Sequence, residues 1–318
     1  MEYLDYFDYN FFLRTHPETF TRRFPPPNML KFTRLNNYPQ YKRTLSITQE
    51  ENVLRAVRIN TNEVLKQFDK CEFKTNGRYW QIYSAIERGT ERGTEKSVIV
   101  KVSRYLFKNE YVNEMEIDGL ILDKDLFAKN TRIWFNGILH VAVMEEYEYD
   151  LMNFLYNKEP TYEQITFVIS NVCKALKILH SMGYAHLNVT PDNILLSHEG
   201  FVRLGGLSRA RPLFQKITEE QGPPSDYNEF EPPHQAPGIT LDVYSLGICL
   251  FEMDSGLKWP EYHPFKVNHY FILNSMKNKD LRELFQLMTY PGPARFSPGD
   301  ILRIKPIREC KMKNFYNE

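Results

Sequence analysis

The sequence predicts an α+β chain of two lobes, a small β-rich one followed by a larger helical one. Three observations carry this reading. Between about 72 and 145, "EFKTNGRYWQIYSAIE", "KSVIVKVSRY" and "ILHVAVMEEY" are rich in β-branched and aromatic residues, the composition of half-buried strands. After Asp150 the period changes. "TYEQITFVISNVCKALKILHSMG" places apolar residues at 165, 168, 169, 172, 176 and 179, the face of a buried helix that closes at Gly183. Finally, 318 residues suffice for two lobes with a sizeable core.

Taken in order, residues 1–70 read as an N-terminal extension. Its aromatics cluster at Tyr3, Tyr6, Phe7, Tyr9, Phe11 and Phe12, and the prolines of "RRFPPPN" forbid a regular helix or central strand. Thr48 and Glu51 form a capping-box pattern ahead of a helix on which Leu54, Val57, Val64, Leu65 and Phe68 share a face. Two readings stand: an extension packed on its own domain, or an arm that docks a partner. Residues 71–318 form the domain proper, with the small lobe at about 71–147 and the large lobe at about 148–310. Within the small lobe, the tandem "ERGT" reads as a polar hairpin loop, and a helical stretch then carries Glu110, Glu114, Glu116, Leu120 and Leu122.

Composition excludes several function classes. The 40 basic and 40 acidic residues cancel, so there is no electrostatic ground for nucleic acid or an anionic membrane as main partner. Cys71, Cys173, Cys249 and Cys310 lie far apart with no C-x-x-C pair. Neither a disulfide framework nor a metal site is expected, which suits an intracellular setting, cytoplasmic or nuclear. No apolar run is long enough to span a membrane, and the acidic, aromatic "MEYLDYFDYNFF" is not a signal peptide.

Six motifs in order then carry a resemblance. "VIVKV", "VAVMEEY", "LHSMG", "HLNVTPDNILL", "TLDVYSLGICLFEM" and "GPARFSPGDIL" resemble successive landmarks of the eukaryotic protein kinase family. The resemblance spans about residues 72 to 308 and implies a bilobal protein-kinase-like fold. It further implies a site for phosphoryl transfer, which needs a glycine loop over the phosphates, a lysine held by a helix glutamate, two metal ligands and a catalytic base.

Matched position by position, the chain departs from that pattern. Asn188 stands at the catalytic-base position, and a carboxamide does not accept a proton as a carboxylate does; losing a positioned base costs about 10²–10⁴ in rate. Leu187 replaces the family's arginine and Thr190 its catalytic-loop lysine. Counting from Asn193 without gaps, Gly206, Leu207 and Ser208 fall over Asp-Phe-Gly; a gapped alternative supplies no aspartate either. Gly206 thus offers no side chain where magnesium needs an oxygen ligand. The glycine-loop positions fall on Thr75, Gly77 and Trp80, keeping one glycine of three, with Trp80 and Ile99 adding bulk to the nucleotide cleft. Lys101, Glu116 (with Glu114 as runner-up) and Asn193 remain as cofactor-binding remnants. Glu116 is preferred because Leu120 follows one turn later. Asp242 is expected to accept backbone hydrogen bonds from the catalytic loop, and Arg295 to meet His234 where the family has a glutamate. Asp192 and Glu199 are the carboxylates left to an unorthodox metal site.

The resemblance therefore implies a pseudokinase rather than an enzyme: a scaffold or allosteric regulator of a protein partner, with no catalytic residues, no metal site, and ATP and magnesium binding weak or absent. The alternatives are an unorthodox active Ser/Thr kinase and a metal-independent nucleotide switch.

Overall fold

The computed structural model describes residues 58–76, 80–88, 95–103, 117, 120–121, 125–128, 130–135, 139–213, 239–258, 269–290 and 295–316. Its first layer is an antiparallel five-stranded sheet of β1 (Asp69–Asn76), β2 (Trp80–Arg88), β3 (Glu95–Ser103), β4 (Asn130–Phe135) and β5 (His140–Glu145), ordered β1-β2-β3-β5-β4. The alternation of β3 sorts its side chains. Val98, Val100 and Val102 are buried on one face with Val141 and Val143 of β5, while Ile99 and Lys101 point to the other. The valine face is covered by the helical residues 58–65 and the turn after them, where Val64 and Phe68 enter the same apolar cluster. The end of the segment assigned to the extension is thus part of the small-lobe core.

The large lobe begins with β6 (Tyr149–Asp150) and α1 (Leu151–Asn157), whose N-cap Asp150 accepts from the Asn153 amide at 2.7 Å. The long helix α2 (Tyr162–Ser181) starts at a capping box in which Thr161 and Gln164 satisfy each other's backbone N–H. It buries the expected face, Ile165, Val168, Ile169, Val172, Leu176 and Leu179, and ends before Gly183 at φ +85°. There follow β7 (Tyr184–Ala185), β8 (Ile194–Leu196), β9 (Val202–Leu204) and β10 (Arg211–Pro212), the last pairing with β7. Helix α3 (Ile239–Ser255) is buried continuously from Leu241 to Asp254, the mark of a helix central to its lobe. After it come α4 (His269–Ser275), then α5 (Lys279–Thr289), which packs on α3, and α6 (Pro298–Ile301) and α7 (Lys305–Arg308), which pack on α2. None of the described helices is long and apolar enough to cross a membrane, and all four cysteines are free.

Two features join the parts. Ile117, Ile121 and Phe127 are buried in one cluster with Leu204 and Leu207 of the large lobe, and the Ala128 and Leu204 amides donate to Leu204 O and Leu126 O respectively. Near the other end, Phe315 is fully buried against Phe154, its amide donates to Gly200 O at 2.7 Å, and Gln164 Nε2 donates to Phe315 O at 2.9 Å. Gly200 is required there. It has φ +82°, and a Cβ would meet Phe315 N at 2.9 Å.

The bilobal α+β architecture is as the sequence predicts. Near the start of the junction between the lobes Ile117 and Ile121 are buried, while Leu120 is 53% exposed.

Candidate functional site

The site is built on the loop between β7 and β8 and on the turn after β9. The Asp242 carboxylate, wholly buried in the first turn of α3, organises the loop from below. Its Oδ2 accepts from the His186 amide at 2.7 Å and meets His180 Nε2 at 2.8 Å, while Oδ1 accepts from the Leu187 amide at 2.7 Å. These charge-assisted bonds hold Leu187 at φ +58°, a backbone region costly for a bulky residue and stable only where its surroundings over-determine it. The Leu187 side chain repays some of that cost by packing with Ala185, Leu213 and Leu241. The position at which the family carries arginine has become a small apolar core.

His186 is buried between two partners. Its Nε2–H donates to Gly205 O at 2.8 Å, and its Nδ1 accepts from the Asn188 amide at 3.2 Å. Those partners require the neutral Nε2–H tautomer, and burial accordingly lowers the His186 pKa below its ordinary 6.5. His186 is a structural bridge between the loop and the turn after β9.

Asn188 is half-buried at the base position. Its carbonyl accepts from Asn193 Nδ2 at 2.9 Å, and the same nitrogen donates to Thr190 Oγ1 at 3.0 Å. Thr190, itself buried, thus turns its hydroxyl onto the loop. Gly206 follows with φ +75° and caps the 3-10 turn Leu207–Arg209, so its backbone state favours glycine. A Cβ added to Gly206 would fall inside the Asn193 carboxamide, nearer to Oδ1 and Cγ than real contacts allow and 2.9 Å from Nδ2. The residues present do not fit magnesium: one of the two ligand positions has no side chain, and the other residue fills the space above it. Protein enclosing the Asp192 carboxyl, and the neighbouring Asp150 carboxylate, raise its pKa although the residue surface is open. Glu199 is exposed at the β8–β9 turn.

Opposite, Lys101 on β3 pairs in register with Ile82 and Ala142. On that face Trp80 is buried in a cluster with Ala142, Ile82 and Ile133, so its indole packs against the sheet that would line the cleft. Ile99, two residues before Lys101 on β3, is half-buried, and Thr75 is exposed on β1. Gly77, Glu114, Glu116 and His234 lie outside the described residues. Arg295 is buried: Nε donates to Tyr290 O at 2.8 Å, Nη1 donates to Thr240 O at 2.7 Å, and the guanidinium lies 4.9 Å from the Tyr244 ring centroid. The roles of Thr190 and Leu187 had no signal in the sequence, because both depend on contacts across the loop.

This order of sheet, long helix, loop and buried α3 can be compared with known proteins. Residues 77–278 match the protein kinase domain family, well over half of the chain. The chain belongs to the protein kinase family. Similar proteins include the muscle M-line assembly protein unc-89 of Caenorhabditis elegans, 24% identical over 226 residues, covering 69% of this chain and 3% of that protein. The serine/threonine-protein kinase pakC of Dictyostelium discoideum is 30% identical over 120 residues, covering 34% of this chain and 23% of that kinase. The probable serine/threonine-protein kinase PknB of Lactococcus lactis is 24% identical over 176 residues, 51% of this chain and 28% of its own length. This protein kinase family member therefore matches only a minor part of each relative's length. These names correct one expectation: the classing of the chain as a non-enzyme is overturned by its membership of an enzyme family whose similar members are named serine/threonine-protein kinases.

Proposed function

We propose that this protein kinase family member works as a scaffold or allosteric regulator of a protein partner, in an intracellular setting, with weak handling of magnesium and ATP. One contrast carries the reading. Asp242 keeps the catalytic loop in place through its short hydrogen bonds, while neither Asn188 nor Gly206 presents a carboxylate to that loop. The architecture that gives the family its shape is retained, and the charge that works on phosphate is reduced. A folded two-lobe surface and residues 1–57 are then the parts available to a partner.

Phosphoryl transfer is the second reading, favoured by the names of the relatives and by Lys101 on β3. The two are separated by purifying the chain with its native partners, identifying them, and adding the chain back to the purified partner with nucleotide absent. A stoichiometric change in the partner's activity or assembly is the expected result. Robust magnesium-dependent phosphorylation of the partner, abolished by Lys101→Met and accompanied by no nucleotide-free effect, would replace regulation by transfer. Loss of binding on removing residues 1–57 would assign the contact to the extension, and unchanged binding would assign it to the lobes.

A further inference from the structure

We infer that Asn193 is a latch that closes the metal position, and that Gly206 is glycine because the latch occupies its side-chain volume. The inference concerns the loop itself and holds whichever partner the chain serves.

An asparagine carboxamide has two N–H donors and an acceptor oxygen. In Asn193 the nitrogen is spent inside its own loop, on Asn188 O at 2.9 Å and Thr190 Oγ1 at 3.0 Å. With the nitrogen fixed on that side, the plane of the amide fixes Oδ1 on the other, over Gly206. There it stands where a Cβ at 206 would have to be. The Asn193 backbone is fixed as well. Its amide donates to Thr190 O at 3.0 Å, and its carbonyl accepts from the Gly205 amide at 2.8 Å. On its other side Gly205 is tied through its carbonyl, which accepts from His186 Nε2 at 2.8 Å. The carboxamide is therefore clamped from the loop, and the strand turn beneath it is clamped from both sides. Neither can retreat without breaking a bond.

Two residue identities acquire one cause. Thr190 supplies the hydroxyl that draws the amide inward, and Gly206 supplies the empty volume that receives it. A side chain at 206 and the latched rotamer of Asn193 exclude each other. Restoring a carboxylate by Gly206→Asp alone would not build a magnesium site, because the carboxylate would arrive on top of the amide that should ligate beside it.

The test is a mutant cycle on the full chain, read by thermal unfolding. Gly206→Ala is expected to lower the midpoint by about 2–3 °C, on the scale of a 1–2 kcal/mol loss in a chain of this size. In an Asn193→Ala background the same substitution should cost no more than about half as much. The strain of alanine at positive φ is common to both backgrounds and cancels, so the difference reports the clash. Should Gly206→Ala alone fail to fold, recovery of folded protein in the Asn193→Ala background is the supporting outcome. Failure in both backgrounds, or equal losses in both, overturns the latch. A parallel arm titrates magnesium with ATP against Gly206→Asp. No metal-dependent shift is expected, and a clear shift in that single variant would show the position open and overturn the inference.

Discussion

His186 shows how a residue typical of an active site can be structural. Its two ring nitrogens face a carbonyl and an amide N–H, so only the neutral form fits, and burial lowers its pKa below 6.5. Between the lowered folded value and 6.5 the unfolded chain binds the proton and the folded chain does not, so stability is full above 6.5 and declines as pH falls through that window. The slope contributed by one such group is at most about 1.4 kcal/mol per pH unit. Urea midpoints at pH 7.5 and 5.5 should therefore differ more for the native chain than for His186→Asn. Equal differences would show that His186 does not set the acid sensitivity. At this scale the sequence displayed which side chains were missing, since Asn188 and Gly206 are identities. It did not display what replaced them. The Asn193 bonds to Asn188 O and Thr190 Oγ1, the Leu187 cluster and the carbonyl partners of Arg295 are all contacts that only the folded loop creates.

Elements were legible wherever one face dominates. Helix α2 carries its apolar period openly and buries the six positions that the period selects, and the Val98, Val100 and Val102 alternation gives the orientation of β3. Around Ile117 and Ile121 only the helical reading was legible. With acidic and apolar residues on neighbouring positions its phase was ambiguous, and packing chose Ile117 and Ile121 over Leu120. The strap formed by Asn314–Tyr316 had no sequence signal, because "KNFYNE" has neither period nor turn signature. Its importance comes from where it lands: Phe315 fills the junction of α1, the start of α2 and the β8–β9 turn. Phe315→Ala should cost about 3–5 kcal/mol in urea unfolding, whereas Tyr316→Phe, at a surface position, should stay within about 1 kcal/mol. A Phe315→Ala loss below that range would mean that the strap is an ornament of the large lobe.

At the scale of the molecule, the two lobes share more than a hinge. Buried residues from the stretch 117–128 belong to the large-lobe cluster, and a helix ahead of the first strand closes the outer face of the small-lobe sheet. The domain therefore starts before residue 69, and a truncation placed at 70 would strip Val64 and Phe68 from the sheet. Phe68→Ala should destabilise the chain by about 3 kcal/mol, and truncation to residue 58 should leave the unfolding midpoint nearly unchanged; a large loss on that truncation would mean that residues 1–57 also hold the fold. The account as a whole rests on the cleft that these parts frame. Its most direct test is a thermal-shift titration of the purified chain with ATP, with and without magnesium. No magnesium-dependent rise in the unfolding midpoint is predicted. A large magnesium-dependent rise, lost in Lys101→Met, would contradict it.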